Sequence, residues 1–263
     1  FLSGYHYDPS EVIVRQDGDV LTVHVEGPWY RTILWEVPLM AIISELYFAV
    51  TVGGMPGLNT DRRERKSKNT EKGRFFAKNN IKYADFGTRR RFSVDNHRLV
   101  VGDLMSSSGD SLVGTSNMMI AKENGLTPIG TQAHEWVMFH GAIFGYLEAT
   151  RLSLKNWVNV YHGELGIALS DTYTSRVFFD SFSMQYAKLF DGVRQDSGDP
   201  LSVMELAIAH YESLRIDPMS KSIVFSDGLN PEKAAAIAKA CDGRINASFG
   251  IGTNLTNDVG AKP

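Results

Sequence analysis

The sequence predicts an α/β fold: a (β/α) barrel preceded by part of a smaller α+β domain. Three observations predict it. From residue 81 onward, short apolar runs end in small or polar residues and give way to helical patterns. The run ends read "YADFGTRR", "LVGTSN", "PIGTQAHEW", "GIALSDTY", "GVRQDSGDP", "IVFSDGLNP" and "SFGIGTN". Repeated strand-then-helix units imply parallel strands. The polar residues gather at the C-terminal ends of the runs, the face on which barrels carry their sites, so a closed barrel is favoured over an open doubly wound sheet.

Ahead of the barrel, residues 11–26, "EVIVRQDGDVLTVHVE", read as two strands around the turn "QDGD". The next stretch, "WYRTILWEVPLMAIISELYFAV", reads as a mostly buried helix that Pro38 kinks. Residues 53–80 are glycine-rich and then strongly basic; a solvated helix face or a connector is favoured over a phosphate-binding patch. Within the barrel two helix starts are marked. Asp199-Pro200 and Asn230-Pro231 each put a capping side chain before a proline at the first helical position. In the first of these helices Val203, Leu206, Ala207, Tyr211 and Leu214 share one face, as a helix covering a sheet requires. The second ends at "CDG", with Gly243 suited to its C-terminal cap.

Composition narrows the function classes. A chain of 263 residues, 43% hydrophobic, buries a sizeable core, and a formal net charge of -3 gives no reason to expect nucleic acid as a partner. No apolar run approaches the ~20 residues that span a bilayer; "VPLMAIISELYFAV" stops short and contains Glu45, so no membrane partner is expected. The single Cys241 fits a reducing, cytoplasmic setting. The chain begins without methionine and ends soon after a glycine-rich turn, and it reads as part of a longer protein.

Several strand ends carry candidate chemistry. In "VRQDSGDP", Arg194 and Asp196 alternate to one side of the strand, and Ser197-Gly198 gives a tight turn. Such a pair holds an anionic substrate and accepts from sugar hydroxyls, or it is a salt bridge beside a helix cap. In "DFGTRRRFS", Phe86 offers a stacking face and Arg89 a cation for the mouth, while Arg90 and Arg91 read as surface charges. "SFGIGTN" supplies Gly252 and Thr253 for a phosphate nest, and "FSDGLNP" adds Asp227 and Gly228 for a ribose or its phosphate. His134, in "GTQAHEW", has no partner at metal-ligand spacing, since His140 falls on the wrong helix face, and no dedicated metal site is expected. No nucleophile elbow accompanies it either. His134 with Asp171 of "LSDTY" at the next strand end is either a carboxylate-oriented nucleophile or a buried core imidazole.

Taken in order, "DFGTRRRFS", "GTSN", "GTQAHEW", "SDTY", "VRQDSGDP", "FSDGLN" and "FGIGTNLT" resemble the nicotinate phosphoribosyltransferase family, and "GPWYRTILWEVPLMAIISE" is similar to it as well. The resemblance implies the irregular (β/α) barrel of type II phosphoribosyltransferases over residues 81–263, with residues 1–80 part of the N-terminal α+β domain and a connector. The activity implied is the first step of NAD salvage from nicotinate. Nicotinate and phosphoribosyl pyrophosphate give nicotinate mononucleotide and pyrophosphate, coupled to ATP hydrolysis through a phosphohistidine, with Mg2+ beside the pyrophosphate.

By the same resemblance His134 is the phosphorylated histidine and Asp171 orients it. Thr131 and Arg194 hold nicotinate, and Phe86 stacks on its ring. Arg89 faces the pyrophosphate, Asp196 and Asp227 the ribose, and Gly252 with Thr253 the 5'-phosphate. Ser116 stands where nicotinamide-using relatives carry an aspartate; a neutral residue there favours the acid. The alternatives are a nicotinamide or quinolinate phosphoribosyltransferase, or a non-catalytic barrel that binds phosphosugars. The family's N-terminal segment, which stacks a tyrosine on the pyridine across a homodimer interface, and the last barrel strand are expected to be missing from this chain.

Overall fold

The computed structural model describes residues 4–51 and 62–260. Val12–Asp17 (β1) and Val20–Val25 (β2) pair antiparallel about a turn in which Gly18 has φ +55°. That left-handed value is what a tight hairpin turn needs and glycine supplies it without strain.

The helical stretch that follows departs from the sequence reading in three ways. It is broken into Trp29–Thr32 (α1) and Glu36–Thr51 (α2) by one 3-10 turn, Ile33–Trp35. Pro38 is not the cause; it lies in the first turn of α2, where a missing N–H removes no intrahelical bond. Nor is α2 mostly buried. Only Ala41 and Phe48 are, while Ile42, Leu46 and Val50 are exposed. Finally, Trp29–Thr51 is long and apolar enough to cross a bilayer by length and composition, contrary to expectation. Polar contacts bind it to the barrel instead. Ser44 Oγ donates to Arg91 O (2.9 Å), and Glu45 accepts from Val94 N (3.1 Å) and pairs with Arg91.

The glycine-rich segment from residue 53 lies outside the described residues. The basic part forms Arg62–Lys78 (α3), largely solvated as expected, with Asn69, Gly73 and Phe76 buried against Val94–Ser107 (α4).

The barrel strands are Tyr83–Asp85 (β3), Leu112–Thr115 (β4), Ile167–Leu169 (β5), Gly192–Gln195 (β6), Ser222–Phe225 (β7) and Asn246–Ile251 (β8). Between and after them run Met118–Asn124 (α5), His134–Phe144 (α6), Tyr146–Tyr161 (α7), Ser175–Ser181 (α8), Met184–Leu189 (α9), Pro200–Ser213 (α10), Pro231–Cys241 (α11) and Thr253–Thr256 (α12). The six strands are parallel in the order β4-β3-β8-β7-β6-β5.

The third expected strand, in "PIGTQAHEW", forms no regular ladder, because Pro128 has no N–H to donate. The segment still joins the ring. Thr115 N donates to Thr127 O (3.1 Å) and Ile129 N to Thr115 O (3.0 Å). A Cβ on Gly114 would stand 2.2 Å from Thr127 O, so only glycine allows this approach. On the other side the Gln132 side chain replaces a strand: its Oε1 accepts from Leu169 N of β5 at 3.2 Å. The ring is therefore closed, which removes the open-sheet alternative. β8, the last of the described strands, pairs directly with β3.

Tyr83, Ala168, Val193, Ile223 and Phe225 from the strands are fully buried under the helices. Each large apolar side chain so placed contributes about 1.5–3 kcal/mol. The two caps form as read: Asp199 accepts from Ser202 N and Asn230 from Lys233 N. Val203, Ala207 and Tyr211 are buried on the inner face of α10, with Leu206 and Leu214 at its margin. Replacing Gln132 with Leu leaves the buried Leu169 N–H unpaired, and the expected loss of stability in urea denaturation is ~1–3 kcal/mol.

Candidate active site

The C-terminal ends of β3, β4, β6, β7 and β8, with residues 130–135, open into one cavity of about 1130 Å³. Parallel strands put all these ends on one face, so residues far apart in sequence converge. Phe86, Arg89, Ser116, Thr131, His134, Arg194, Asp196, Asp227, Gly228, Gly252 and Thr253 all line it. Asp171 does not.

Arg194 is the hub. Its Nε donates to Ser226 Oγ (2.8 Å), Nη1 to Thr131 Oγ1 (2.8 Å), and Nη2 pairs with Asp196 Oδ2 (2.8 Å). The guanidinium lies 5.9 Å from the Phe86 ring centroid. Phe86 is in turn fixed by glycine: a Cβ on Gly250 would meet its ring at 2.5 Å. A flat cationic wall therefore stands beside an aromatic face, with a hydroxyl from Thr131 at its edge.

His134 begins α6, with its side chain 39% exposed, so the reading of a buried core imidazole does not hold. Its Nδ1 lies 3.2 Å from Thr172 Oγ1 and its Nε2 3.2 Å from Asp196 Oδ2. The carboxylate nearest His134 is that of Asp196; the Oδ1 of Asp171, the residue expected to orient it, lies 3.9 Å from Nε2. Asp171 acts one step behind. It accepts from Asp196 N (3.0 Å) and Ser197 Oγ (2.5 Å), fixing the turn that carries Asp196. His140 points away and bonds within the helices, to Trp136 O and Asn156.

Burial of Asp196 would raise its pKa, but the hydrogen bond with His134, the charge of Arg194 and the bonds from Ser226 and Arg194 outweigh it and pull it down to about 2. Arg89 Nη1 pairs with Glu36 Oε1 (2.6 Å) at the rim. Arg90 is exposed, as the sequence reading had it, at the edge of the cavity, whereas Arg91 is half-buried against Glu45 and is not merely a surface charge. Among the described residues no group of three His, Cys, Asp or Glu side chains is placed to hold a metal ion.

Two participants escaped the sequence reading. Ser226 bridges Arg194 and Asp196, donating to Asp196 Oδ1 at 2.6 Å, and Thr172 touches His134. Each adjoins an aspartate already singled out, and a hydroxyl next to a strand-end carboxylate was the available signal.

Residues 81–262 match the nicotinate phosphoribosyltransferase (NAPRTase) family. The nicotinate phosphoribosyltransferase of Chromohalobacter salexigens is 53% identical over the whole chain, which covers 66% of that relative; that of Methanosarcina acetivorans is 42% identical over 98% of the chain and 66% of the relative. The crystal structure of nicotinate phosphoribosyltransferase from Porphyromonas gingivalis superposes with a TM-score of 0.94 at 46% identity, covering all of this chain and 67% of that one. That from Vibrio cholerae gives 0.90 at 36%, covering 98% and 62%. The chain thus spans about two thirds of the length of the relatives it matches.

A depressed Asp196 adds stability above pH 3.8, its ordinary value, and that stability is lost as pH falls toward about 2. In urea denaturation the advantage of the wild type over Asp196→Asn is expected to shrink by ~2 kcal/mol between pH 4 and pH 2.

Proposed function

The chain belongs to the nicotinate phosphoribosyltransferase family, and on that premise we propose that the protein joins nicotinate to phosphoribosyl pyrophosphate in an ATP-coupled reaction. The observation that carries the reading is the Arg194 hub: a partly buried cation with Thr131 beside it and Phe86 against it suits a flat ring bearing a carboxylate. In the reaction the pyridine nitrogen bonds to C1 of the ribose as the C1–O bond breaks, and the electron pair leaves on pyrophosphate. The protein's part is to hold the ring in line with C1 and to receive the negative charge that departs. Phe86 and Arg194 fix the ring, and Arg89 at the rim meets the pyrophosphate once Glu36 yields it. Asp196 and Asp227 face the ribose hydroxyls with Gly228 beside them, while the turn of Gly252 and Thr253 after β8 takes the 5'-phosphate.

His134 is the acceptor for the γ-phosphoryl group of ATP in this reading. A ring nitrogen bonds to phosphorus, the bond to ADP breaks, and the other nitrogen keeps its hydrogen-bond partner. Its exposure to the cavity and its two side-chain partners support that role. Mg2+ would be held beside the pyrophosphate by the Asp227 carboxylate, which lines the cavity. Such an ion takes one or two carboxylates with substrate oxygens and neutralises the leaving charge. A cytoplasmic homodimer is part of the same proposal; the free, buried Cys241 fits a reducing compartment.

Incubating the full-length protein with γ-labelled ATP should give an acid-labile, base-stable phosphoprotein, and His134→Ala should abolish the label. Equal labelling of that variant would remove His134 from the role. Nicotinate should be used in preference to nicotinamide and quinolinate. Ser116→Asp should lower kcat/KM for nicotinate by at least about tenfold, through a carboxylate facing a carboxylate.

A further inference from the structure

One fully buried polar cluster lies beneath the cavity and lines none of it. Asp85, His97 and Thr115 are all 0% exposed. Asp85 Oδ2 lies 2.6 Å from His97 Nε2 and accepts from Thr115 Oγ1 at 2.6 Å, while Oδ1 accepts from Gly87 N at 2.8 Å. The backbone of the same residue accepts from Ser116 N at 2.8 Å. Thr115 Oγ1 passes the chain on, accepting from Asn117 N (3.0 Å), and Asn117 Nδ2 returns to Thr88 Oγ1 (3.1 Å). The bonds form a closed circuit from the end of β3 to the end of β4 and back.

Burying an acid and an imidazole costs more than an apolar contact of the same shape, so packing alone does not account for this group. What the circuit reaches does. It ends on the amides of Gly87, Ser116 and Asn117, which belong to the two turns that present Phe86 and Ser116 to the cavity.

We propose that Asp85, with Thr115 and His97, is a positioning group that sets the spacing between Phe86 and Ser116, and so the fit and choice of the pyridine. This rests on the reading of the cavity as a nicotinate site. It assigns no role in binding the ribose 5'-phosphate, which the turn after β8 takes.

The test compares Thr115→Val, which keeps the branched shape without the hydroxyl, with Thr115→Ser, which restores it, in the full-length protein. Nicotinate Kd by calorimetry, KM for both substrates, the nicotinate-to-nicotinamide preference and the melting temperature are measured. Thr115→Val should weaken nicotinate about tenfold in Kd and KM and erode the preference, with KM for phosphoribosyl pyrophosphate changed by less than about twofold. Thr115→Ser should lie within about twofold of wild type. Should Thr115→Val not fold, Asn117→Ser keeps a capping oxygen but drops the amide that reaches Thr88, and should weaken nicotinate about threefold. The inference is overturned if these variants bind nicotinate like wild type. It is equally overturned if both substrates weaken together in step with the melting temperature. A wild type that binds nicotinate but forms no nucleotide sinks the proposed function alone, and the Kd series still decides the inference; a wild type that binds no nicotinate sinks both.

Discussion

The centre of the cavity depends on one partly buried guanidinium. Arg194 is 16% exposed in its side chain, and a cation held there must meet partners along every edge. It does so by drawing on four places in the chain: Thr131 before α6, Asp196 on its own strand end, Ser226 after β7 and Phe86 after β3. The fork is planar and rigid, so these partners are fixed in mutual orientation as well as in distance. Asp196 carries the geometry one residue further, to His134. A lysine would supply the charge but not the plane.

The N-terminal elements reach the same region from outside the ring. Trp29 stacks on Phe139 at 4.4 Å and 11°, and its Nε1 donates to Glu135 Oε1 at 2.7 Å, next to His134. Glu36 holds Arg89. On the far side of the turn after β8, Lys72 of α3 donates to Asn254 O and pairs with Asp258, tying a basic helix to α12. Burial lowers the pKa of Lys72, and Asp258 opposes that shift. The hairpin-and-helix portion is thus joined to the first turn of α6 and to the rim of the cavity.

Much of this was legible in the sequence because it follows from local rules. Caps at Asp199 and Asn230 are set by side-chain chemistry over three residues, and the apolar face of α10 by helical period. The strand ends stood out because small polar residues interrupt apolar runs there. The failures are nonlocal. The exposure of Ile42 and Leu46 on α2 is invisible to a hydropathy pattern, which reports what a helix prefers to cover and not what it meets. The segment at Pro128 had the composition of a strand, but lacking a donor it made only a bridge. That Asp196 stands nearer to His134 than Asp171 does turns on which of two carboxylates, 25 residues apart, a turn swings forward.

The seam beside Gly114 gives the barrel an uneven stiffness. The four strands β3, β6, β7 and β8 are clamped by ladders on both flanks, whereas residues 127–132 hang from two backbone bonds on one flank and a single glutamine amide on the other. Local opening is easiest where the fewest bonds must part. Thr131 lies on that stretch and His134 follows directly from it, while Arg194, Asp227 and Gly252 grow out of clamped strands. The molecule therefore behaves as an anvil with one compliant jaw, and the jaw is the part that bears the imidazole.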